Sequence, residues 1–433
     1  MIWNPNSLAT PAVVENPTIT HMLNQLGQST DRITELVAIN APEIVIGVLT
    51  QPAANLVSLN IQMANTNVIP SLFGGVMPKL EHLSMSNPVG WKIQLLRNLN
   101  TVHLTATPSR RWRLSHLLDC IDASIALKEL HLTYFEDFEP ETVAESRRVV
   151  SLPSLHILRL TFCNSAPILS HLELPPSAAL SVYSHYNQSE DILTCLPASG
   201  RFLRVLKGVQ FLTVVFDVER QIFEVDILGP AGIHFLLGAV PWEGEFDRKW
   251  VLRSMATVTR FAPVSGVKWL TVVVDEYHMP WKVWLSKFDQ ISTLEVRTPD
   301  PAELLGVLVA PNGNAERILC PALRSLSIER SKRPTADPSL LRECLETRAS
   351  AGSAISTLNL NDLDWTGIPH TELEAWERLV DRTLLDGKRI LLMGSHVFFF
   401  STACCSNHRK FHTTRRPFSW HVKIVVKLEV PLD

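Results

Sequence analysis

Cysteines and histidines near the end of the chain are side chains of the types that ligate zinc. Cys404 and Cys405 are followed by His408 and His412, and the two histidines have the His-x3-His spacing of zinc sites. The cysteines are adjacent, however, where such sites use Cys-x2-Cys, and no second ligand pair follows. We therefore interpret these four residues as part of a tail, and we predict no metal or other cofactor for the chain.

A second pair of histidines, His103 and His131, occupies the same outward position in successive units of the repeat described below. Equivalent positions in neighbouring strands lie ~4.8 Å apart, so the two imidazoles should meet. A metal would need a third ligand, and Glu129 and His82 are merely near in the pattern. The interpretation that we favour is a solvated polar surface, because surface histidines are commonly unpaired.

The sequence contains none of the local motifs that mark common catalytic sites. A Gly-x4-Gly-Lys-Ser/Thr phosphate loop, a Gly-x-Ser-x-Gly turn and a His-Glu-x2-His zinc motif are all missing. We therefore expect a protein that is not an enzyme. One alternative is an enzyme of unrecognised type with dispersed catalytic residues, which a search for local motifs does not detect. The other is a truncated product without retained activity.

Composition and charge limit the classes of partner. The chain has 433 residues and a formal net charge of -3, with 40 basic and 43 acidic residues, which argues against a nucleic-acid or anionic-membrane binder. Seven cysteines, most of them single within apolar stretches, suit reduced thiols in the cytoplasm or nucleus. The N-terminal sequence has no signal-peptide pattern, and the apolar stretch from Ile390 falls short of the ~20 residues of a membrane span.

The elements that position these side chains follow from a repeated pattern of apolar residues. The unit is one apolar residue, two polar, one apolar, one polar and one apolar, and its copies mostly start about 19 to 32 residues apart. In LKELHL from Leu127, the leucines should point inward along a strand while Glu129 and His131 point outward. The other strict copies are LEHLSM from Leu80, LNTVHL from Leu99, LSHLEL from Leu169, ISTLEV from Ile291, LRSLSI from Leu323 and ISTLNL from Ile355. Looser copies are LVSLNI from Leu56, LHILRL from Leu155 and VKWLTV from Val267.

Helix signals lie between the copies. Asp300 is predicted as an N-cap with Pro301 at the first helical position, and Thr371 and Glu374 have capping-box spacing. Another helix, from Leu340, should end at Gly352. Strand, turn and helix in alternation predict an α/β fold, an irregular leucine-rich-repeat-like solenoid with parallel strands on the concave face and helices on the convex face.

The predicted solenoid spans residues 18–386, between an N-terminal lead (1–17) and an atypical basic and aromatic tail (387–433). The tail is either a small appendage or disordered. Between Ala178 and Phe261 the pattern blurs, and the strand-like runs from Gly208 and Gln221 are either irregular repeats or a broken sheet.

The repeats resemble those of fungal, mushroom-type F-box/leucine-rich-repeat proteins. The resemblance covers roughly residues 31 to 386 and is carried by PSLHILRL at Pro153, PALRSLSI at Pro321 and CLETRASAGSAISTLNL from Cys344. It implies a target-binding region of a ubiquitin-ligase adaptor. The F-box, which in that family docks on the linker protein of cullin-based ligases, is not found before the repeats. That linker protein is therefore expected as a partner only if an F-box is supplied.

The outward strand positions are the predicted protein-binding surface. Repeat proteins bind through such a surface because its side chains vary without disturbing the core. We expect an unknown protein partner of mixed charge, and binding that changes between about pH 5.5 and 7.5, where unperturbed imidazoles titrate. The predicted surface residues are Ser84, His103, His131, Arg159, Glu173, Glu295 and Arg297, and the predicted inward residues are Leu83, Leu104, Leu130, Leu160, Leu294, Leu326 and Leu358.

Overall fold

A computed structural model describes the greater part of the chain. The described residues are 25, 27–39, 49–62, 72–86, 99–106, 112–139, 148–186, 192–197, 208–217, 221–229, 234–241, 248–261, 264–274, 279–309, 318–330, 338–361, 368–385, 388–393, 396–401 and 423–428. The predicted lead (1–17) and the four candidate zinc ligands of the tail lie outside these residues.

The strands, numbered along the chain, are β1 (Ile33–Ile39), β2 (Ser58–Gln62), β3 (His82–Ser86), β4 (Thr101–Thr105), β5 (Glu129–Thr133), β6 (Val150–Ser151), β7 (Ile157–Thr161), β8 (Leu172–Glu173), β9 (Ala179–Tyr186), β10 (Phe211–Asp217), β11 (Ile222–Leu228), β12 (His234–Pro241), β13 (Trp269–Val274), β14 (Thr293–Thr298), β15 (Ser325–Arg330), β16 (Thr357–Asn361), β17 (Arg382–Leu385), β18 (Lys388–Met393), β19 (His396–Ser401) and β20 (Lys423–Leu428).

The α-helices are α1 (Leu114–Asp122), α2 (Ser165–Ser170), α3 (Arg248–Phe261), α4 (Trp281–Leu285), α5 (Pro301–Val309), α6 (Pro338–Ser350) and α7 (His370–Leu379). Short 3-10 helices cover Thr30–Arg32, Leu72–Gly75, Ile192–Cys195 and Val264–Gly266.

The chain forms two compact units, which we describe separately. Unit 1 comprises Met1–Tyr183, Cys195–Ala198 and Phe411–Asp433, and unit 2 comprises Ser184–Thr194 and Ser199–Lys410. The sequence pattern predicts one body over residues 18–386, and the division into units is a finding of the structure. Both units combine helices with a sheet, so the fold is mixed α/β with mostly parallel strand pairing.

The main sheet of unit 1 has the order β20-β1-β2-β3-β4-β5-β7-β9. All neighbours are parallel except β20, which is antiparallel to β1. Strands β6 and β8 form a separate parallel pair. The parallel order follows the chain order because each copy of the repeat adds one strand beside the previous one.

In unit 2, a central run of parallel strands lies between two sets of antiparallel strands. The strand order of the sheet is β12-β11-β10-β13-β14-β15-β16-β17-β18-β19, and the pairs from β10–β13 to β16–β17 are parallel. The run from Gly208 contributes β10 and the run from Gln221 contributes β11, so the blurred part of the sequence forms antiparallel strands of this sheet.

The core is built from the apolar positions of the repeat. All seven predicted inward leucines lie in strands and are at most 3% exposed, which confirms that prediction. The strands alternate between buried and partly exposed residues, as in β5 and β16, because successive side chains point to opposite faces. The first apolar position of each unit is buried as well, from Leu56 to Ile355.

The copy LSHLEL from Leu169 does not form a strand of the main sheet. Its first residues belong to α2, and Leu172 and Glu173 form β8 in the separate strand pair. A spacing of three residues between leucines also fits one face of a helix, so the motif alone does not distinguish the two structures. The strand beside β7 is β9, with Leu180 and Val182 at the inward positions.

The predicted helix ends have mixed outcomes. Asp300 caps α5, since its Oδ1 accepts the amide N–H of Ala302 at 3.0 Å, as predicted. Helix α6 is followed by Gly352 at a φ of 73°, also as predicted. The capping box is wrong, because α7 begins at His370 after Pro369, which places Thr371 inside the helix.

The tail contributes strands rather than repeats. Strands β18 and β19 form an antiparallel pair that extends unit 2 from β17, and β20 pairs with β1 in unit 1.

Candidate functional site

Four of the predicted surface residues lie side by side on the sheet of unit 1. The strand register pairs Ser84 with His103, His103 with His131, and His131 with Arg159, and all four are at least partly exposed. Glu173 does not continue this row, because β8 lies outside the main sheet. The residue beside Arg159 is Ser181. We call Ser84, His103, His131, Arg159 and Ser181 the outward row.

The two histidines of the outward row stack on each other. Their ring centroids are 4.0 Å apart and the ring planes differ by 9°. Burial, together with the neighbouring His103 and Arg159, lowers the pKa of His131 to about 4. Burial also lowers the pKa of His103. Both imidazoles are therefore neutral at pH 7, and the expected titration between pH 5.5 and 7.5 is wrong for His131.

Each of these histidines has one ring nitrogen without a partner. The Nε2 atoms of His103 and His131 are buried from solvent and make no hydrogen bond. Glu129 lies two residues before His131 on the same strand, and one ligand atom from each of the three residues lies within 4.8 Å of the others. The structure thus brings Glu129 to the histidines as the third group that the sequence could only suggest.

The remaining predicted residues, Glu295 and Arg297, lie on β14 of unit 2. The Thr271 hydroxyl donates a hydrogen bond to Glu295 Oε2 at 3.1 Å. Arg297 Nη1 lies 3.7 Å from Glu329 Oε1 on β15. Both side chains therefore have partners within the sheet.

Three large apolar residues lie side by side on the outward face of unit 2. The register pairs Phe211 with Leu228 on one side and with Trp269 on the other, and the two ring centroids are 5.8 Å apart. Their exposures are 41% for Phe211, 40% for Leu228 and 39% for Trp269. We call Leu228, Phe211 and Trp269 the apolar row.

Carboxylates flank the apolar row. Asp226 and Glu224 precede Leu228 at alternate positions of β11 and share its face. The next row along the strands runs from Asp226 through Thr213 and Thr271 to Glu295, so it places two threonines between two carboxylates. His234 Nε2 contacts Asp226 Oδ1 at 3.0 Å.

The apolar row was not among the predicted surface residues, although the sequence contains a signal for it. In VQFLTV from Val209 and VKWLTV from Val267, the residue before the central leucine is aromatic. The same outward position holds Thr101, Glu129 and Ser325 in other copies. A large aromatic residue at a solvent-facing position of a repeat is the feature that would have identified this surface.

Four of the described cysteines do not have the properties of catalytic nucleophiles. Burial raises the pKa of Cys120, Cys163 and Cys320 to about 12 and that of Cys344 to about 11. A thiol must ionise and be accessible to act as a nucleophile, and burial opposes both.

One open pocket of about 420 Å³ lies in unit 1 and is lined mainly by polar residues, including Glu136, Asp137 and Glu139. Burial and the neighbouring Asp137 raise the pKa of Glu136. This arrangement resembles a solvated acidic loop and does not by itself define a ligand.

No protein-family model matches the sequence, and no curated protein matches it. Within the part of the chain that the structure describes, none of the helices combines the length and the apolar character needed to cross a bilayer.

Proposed function

We propose that this chain is a non-enzymatic protein-recognition module with an irregular leucine-rich-repeat-like architecture, similar to the target-binding region of an F-box adaptor. The observation that carries the proposal is the apolar row, because contiguous exposed apolar side chains on a soluble domain commonly mark a protein-binding site. Tryptophan and phenylalanine are also enriched at the centres of such sites.

Repeated hydrogen bonds support the repeat architecture. At the start of β5, the N–H groups of Lys128 and Glu129 both donate to the carbonyl of Asn100, which immediately precedes the neighbouring strand β4. At the start of β15, Arg324 and Ser325 donate in the same way to Ser292. The same paired donation occurs at the starts of β3, β4, β7, β13, β14 and β16.

A buried cysteine gives further support. Cys163 follows β7, and its Sγ contacts the carbonyl oxygen of Leu132 on the neighbouring strand β5 at 3.3 Å. Leucine-rich repeats commonly carry Asn or Cys after the strand. The contact of Cys163 with the neighbouring strand therefore supports the proposed repeat architecture.

The proposed partner is a protein segment that presents apolar side chains beside basic ones. The apolar side chains would pack on Phe211 and Trp269, while the basic groups would lie over Asp226, Glu224 and Glu295. Complementary charges at the edge of an apolar contact favour encounter and orientation. Buried, reduced cysteines support a partner in the cytoplasm or nucleus.

The proposal is tested with a double variant, Phe211→Ser with Trp269→Ser, in the full chain. Proximity labelling in cells identifies candidate partners, and each candidate is then purified and titrated against the wild type and the variant. We expect the double variant to weaken binding at least roughly 30-fold, since central aromatic residues typically contribute 2 kcal/mol or more.

The matched control is Val283→Ser, which removes another exposed apolar side chain of unit 2, 66% exposed on α4. It should bind as the wild type does. A second control, His131→Ala with Arg159→Ala, tests the outward row of unit 1. If a purified partner binds the double serine variant unchanged while the outward-row variant loses binding, the apolar row is not the recognition site.

A further inference from the structure

The side chains of His103, His131 and Glu129 meet on one face of the sheet in unit 1. His103 and His131 are direct neighbours across β4 and β5, while Glu129 is two positions before His131 and so points to the same side. The sheet fixes these three positions through parallel pairing on both sides of β4 and β5. The arrangement therefore does not depend on a loop.

The two histidines have polar atoms that the protein itself leaves without a partner. A buried nitrogen without a hydrogen bond is unfavourable, and here two such Nε2 atoms lie on stacked rings. A neutral imidazole that lacks a proton at this nitrogen offers a lone pair, which is the form that binds metals. Two unsatisfied nitrogens with a carboxylate beside them point to a ligand that accepts electron pairs.

We propose that His103, His131 and Glu129 bind a divalent transition-metal ion of the zinc class. Two imidazoles and one carboxylate are a ligand set that zinc uses in sites with three protein ligands and an open fourth position. Calcium and magnesium prefer all-oxygen ligands, so the imidazoles favour a transition metal. This inference does not depend on the proposed function, because the apolar row belongs to unit 2.

Metal binding requires a specific movement of the two rings. Stacked rings hold their lone pairs in two nearly parallel planes, whereas a metal at about 2.0–2.1 Å from each nitrogen needs the lone pairs to converge on one point. The rings must therefore rotate away from the stack, and the partly exposed face of the sheet leaves room for this rotation. The nearby guanidinium of Arg159 opposes the metal's charge, so removing that charge should tighten binding.

The experiment titrates the metal-free full chain with Zn²⁺ and Co²⁺, by calorimetry and by the visible absorption of cobalt. We expect the wild type to bind one ion per chain and to show the intense absorption of a four-coordinate cobalt site. His103→Phe and His131→Phe keep an aromatic ring in the stack but remove the ligand. Each should weaken binding at least ~100-fold, more than the loss of a residue that only orients a ligand.

Three further variants make the result decisive. His116→Phe changes an exposed histidine on α1 and should leave the affinity unchanged. Glu129→Gln keeps the shape of the side chain but weakens the ligand, and Arg159→Gln should tighten binding. These two test the site even if a phenylalanine variant fails to fold.

The tail offers a competing site, so Cys404→Ser with Cys405→Ser is measured in parallel. We expect this variant to bind as the wild type does. The proposal is overturned if the wild type binds no stoichiometric metal. It is also overturned if binding survives in both phenylalanine variants, or is lost only when the tail cysteines are replaced.

Discussion

A buried guanidinium in unit 2 donates hydrogen bonds to backbone carbonyls. Arg348 on α6 is fully buried, and its Nη1 and Nη2 atoms donate to the carbonyls of Leu319 and Cys320 at 2.9 and 2.8 Å. Burial lowers the pKa of this guanidinium. These carbonyls lie before β15 and α6 follows it, so Arg348 connects the helix to the turn that precedes the strand of the same repeat.

Replacing Arg348 should therefore strongly destabilise unit 2. We expect Arg348→Ala to cost about 3 to 5 kcal/mol, because it leaves a cavity and two buried carbonyls without donors. Arg348→Met fills the cavity and should cost less. Urea unfolding measures both, and Arg378→Ala on the surface of α7, where the side chain is 79% exposed, should stay within about 0.5 kcal/mol. Equal losses for the buried and exposed arginines would contradict this role.

His234 is the residue whose charge should follow pH near neutrality. Its hydrogen bond to Asp226 raises its pKa above the ordinary 6.5, against an opposing effect of burial. A raised pKa means that the pair's stabilisation is fully present below pH 6.5 and is lost as pH rises through the folded-state pKa. The contribution is modest because both side chains are more than a third exposed.

Histidine NMR measures this directly. In the wild type, the His234 ring should titrate above 6.5, and in Asp226→Asn its pKa should fall. The urea-unfolding free energy of the wild type should decline more between pH 6 and pH 8 than that of His234→Gln. An identical His234 pKa with and without the Asp226 carboxylate would exclude the ion pair in solution.

At the scale of the element, the spacing of apolar residues predicts a strand correctly where the strands on both sides carry the same apolar pattern. Leu130 and Leu326 lie in such strands and were placed correctly. Leu169 was not, because a leucine three residues before another fits a helix face as well as a strand turn, and only the pairing partners decide. Those partners are contributed by distant parts of the chain, which a local motif does not contain.

Helix caps show the same limit. The cap at Asp300 depends on neighbours in sequence, so it was predicted correctly. The start of α7 is set by Pro369 and by the pairing of His370 with Glu374 at 3.1 Å, which competes with the predicted capping box. Local chemistry therefore predicts a cap only where no second local arrangement satisfies the same groups.

The cap of α5 gives a prediction at this scale. Asp300→Ala should cost about 1 kcal/mol, because the amide of Ala302 loses its acceptor at the helix start. Asp300→Asn and Asp300→Ser retain a side-chain acceptor and serve as matched controls, with smaller losses. Urea unfolding provides the measurement, and three equal losses would show that charge or packing, rather than the cap, is responsible.

At the scale of the whole molecule, the proposed repeat architecture should restrict how far a local defect spreads. In a repeat array each strand contacts chiefly the strands beside it, so its stability is the sum of terms for single repeats and for neighbouring pairs. Leu130 on β5 of unit 1 and Leu326 on β15 of unit 2 are both fully buried at equivalent inward positions. Replacing either with Ala should cost about 2 to 5 kcal/mol, since each leaves a cavity in a packed row.

The two substitutions should loosen different strands. In Leu130→Ala, we expect backbone amides of β4, β5 and β7 to exchange hydrogen faster, while those of β14, β15 and β16 keep their wild-type protection. In Leu326→Ala the pattern should be reversed, because local openings report the nearest cooperative unit. Hydrogen exchange read by mass spectrometry measures both sets of strands in one experiment. If either substitution lowers protection equally in both units, the chain unfolds as a single cooperative body, and the additive behaviour of a repeat array does not describe it.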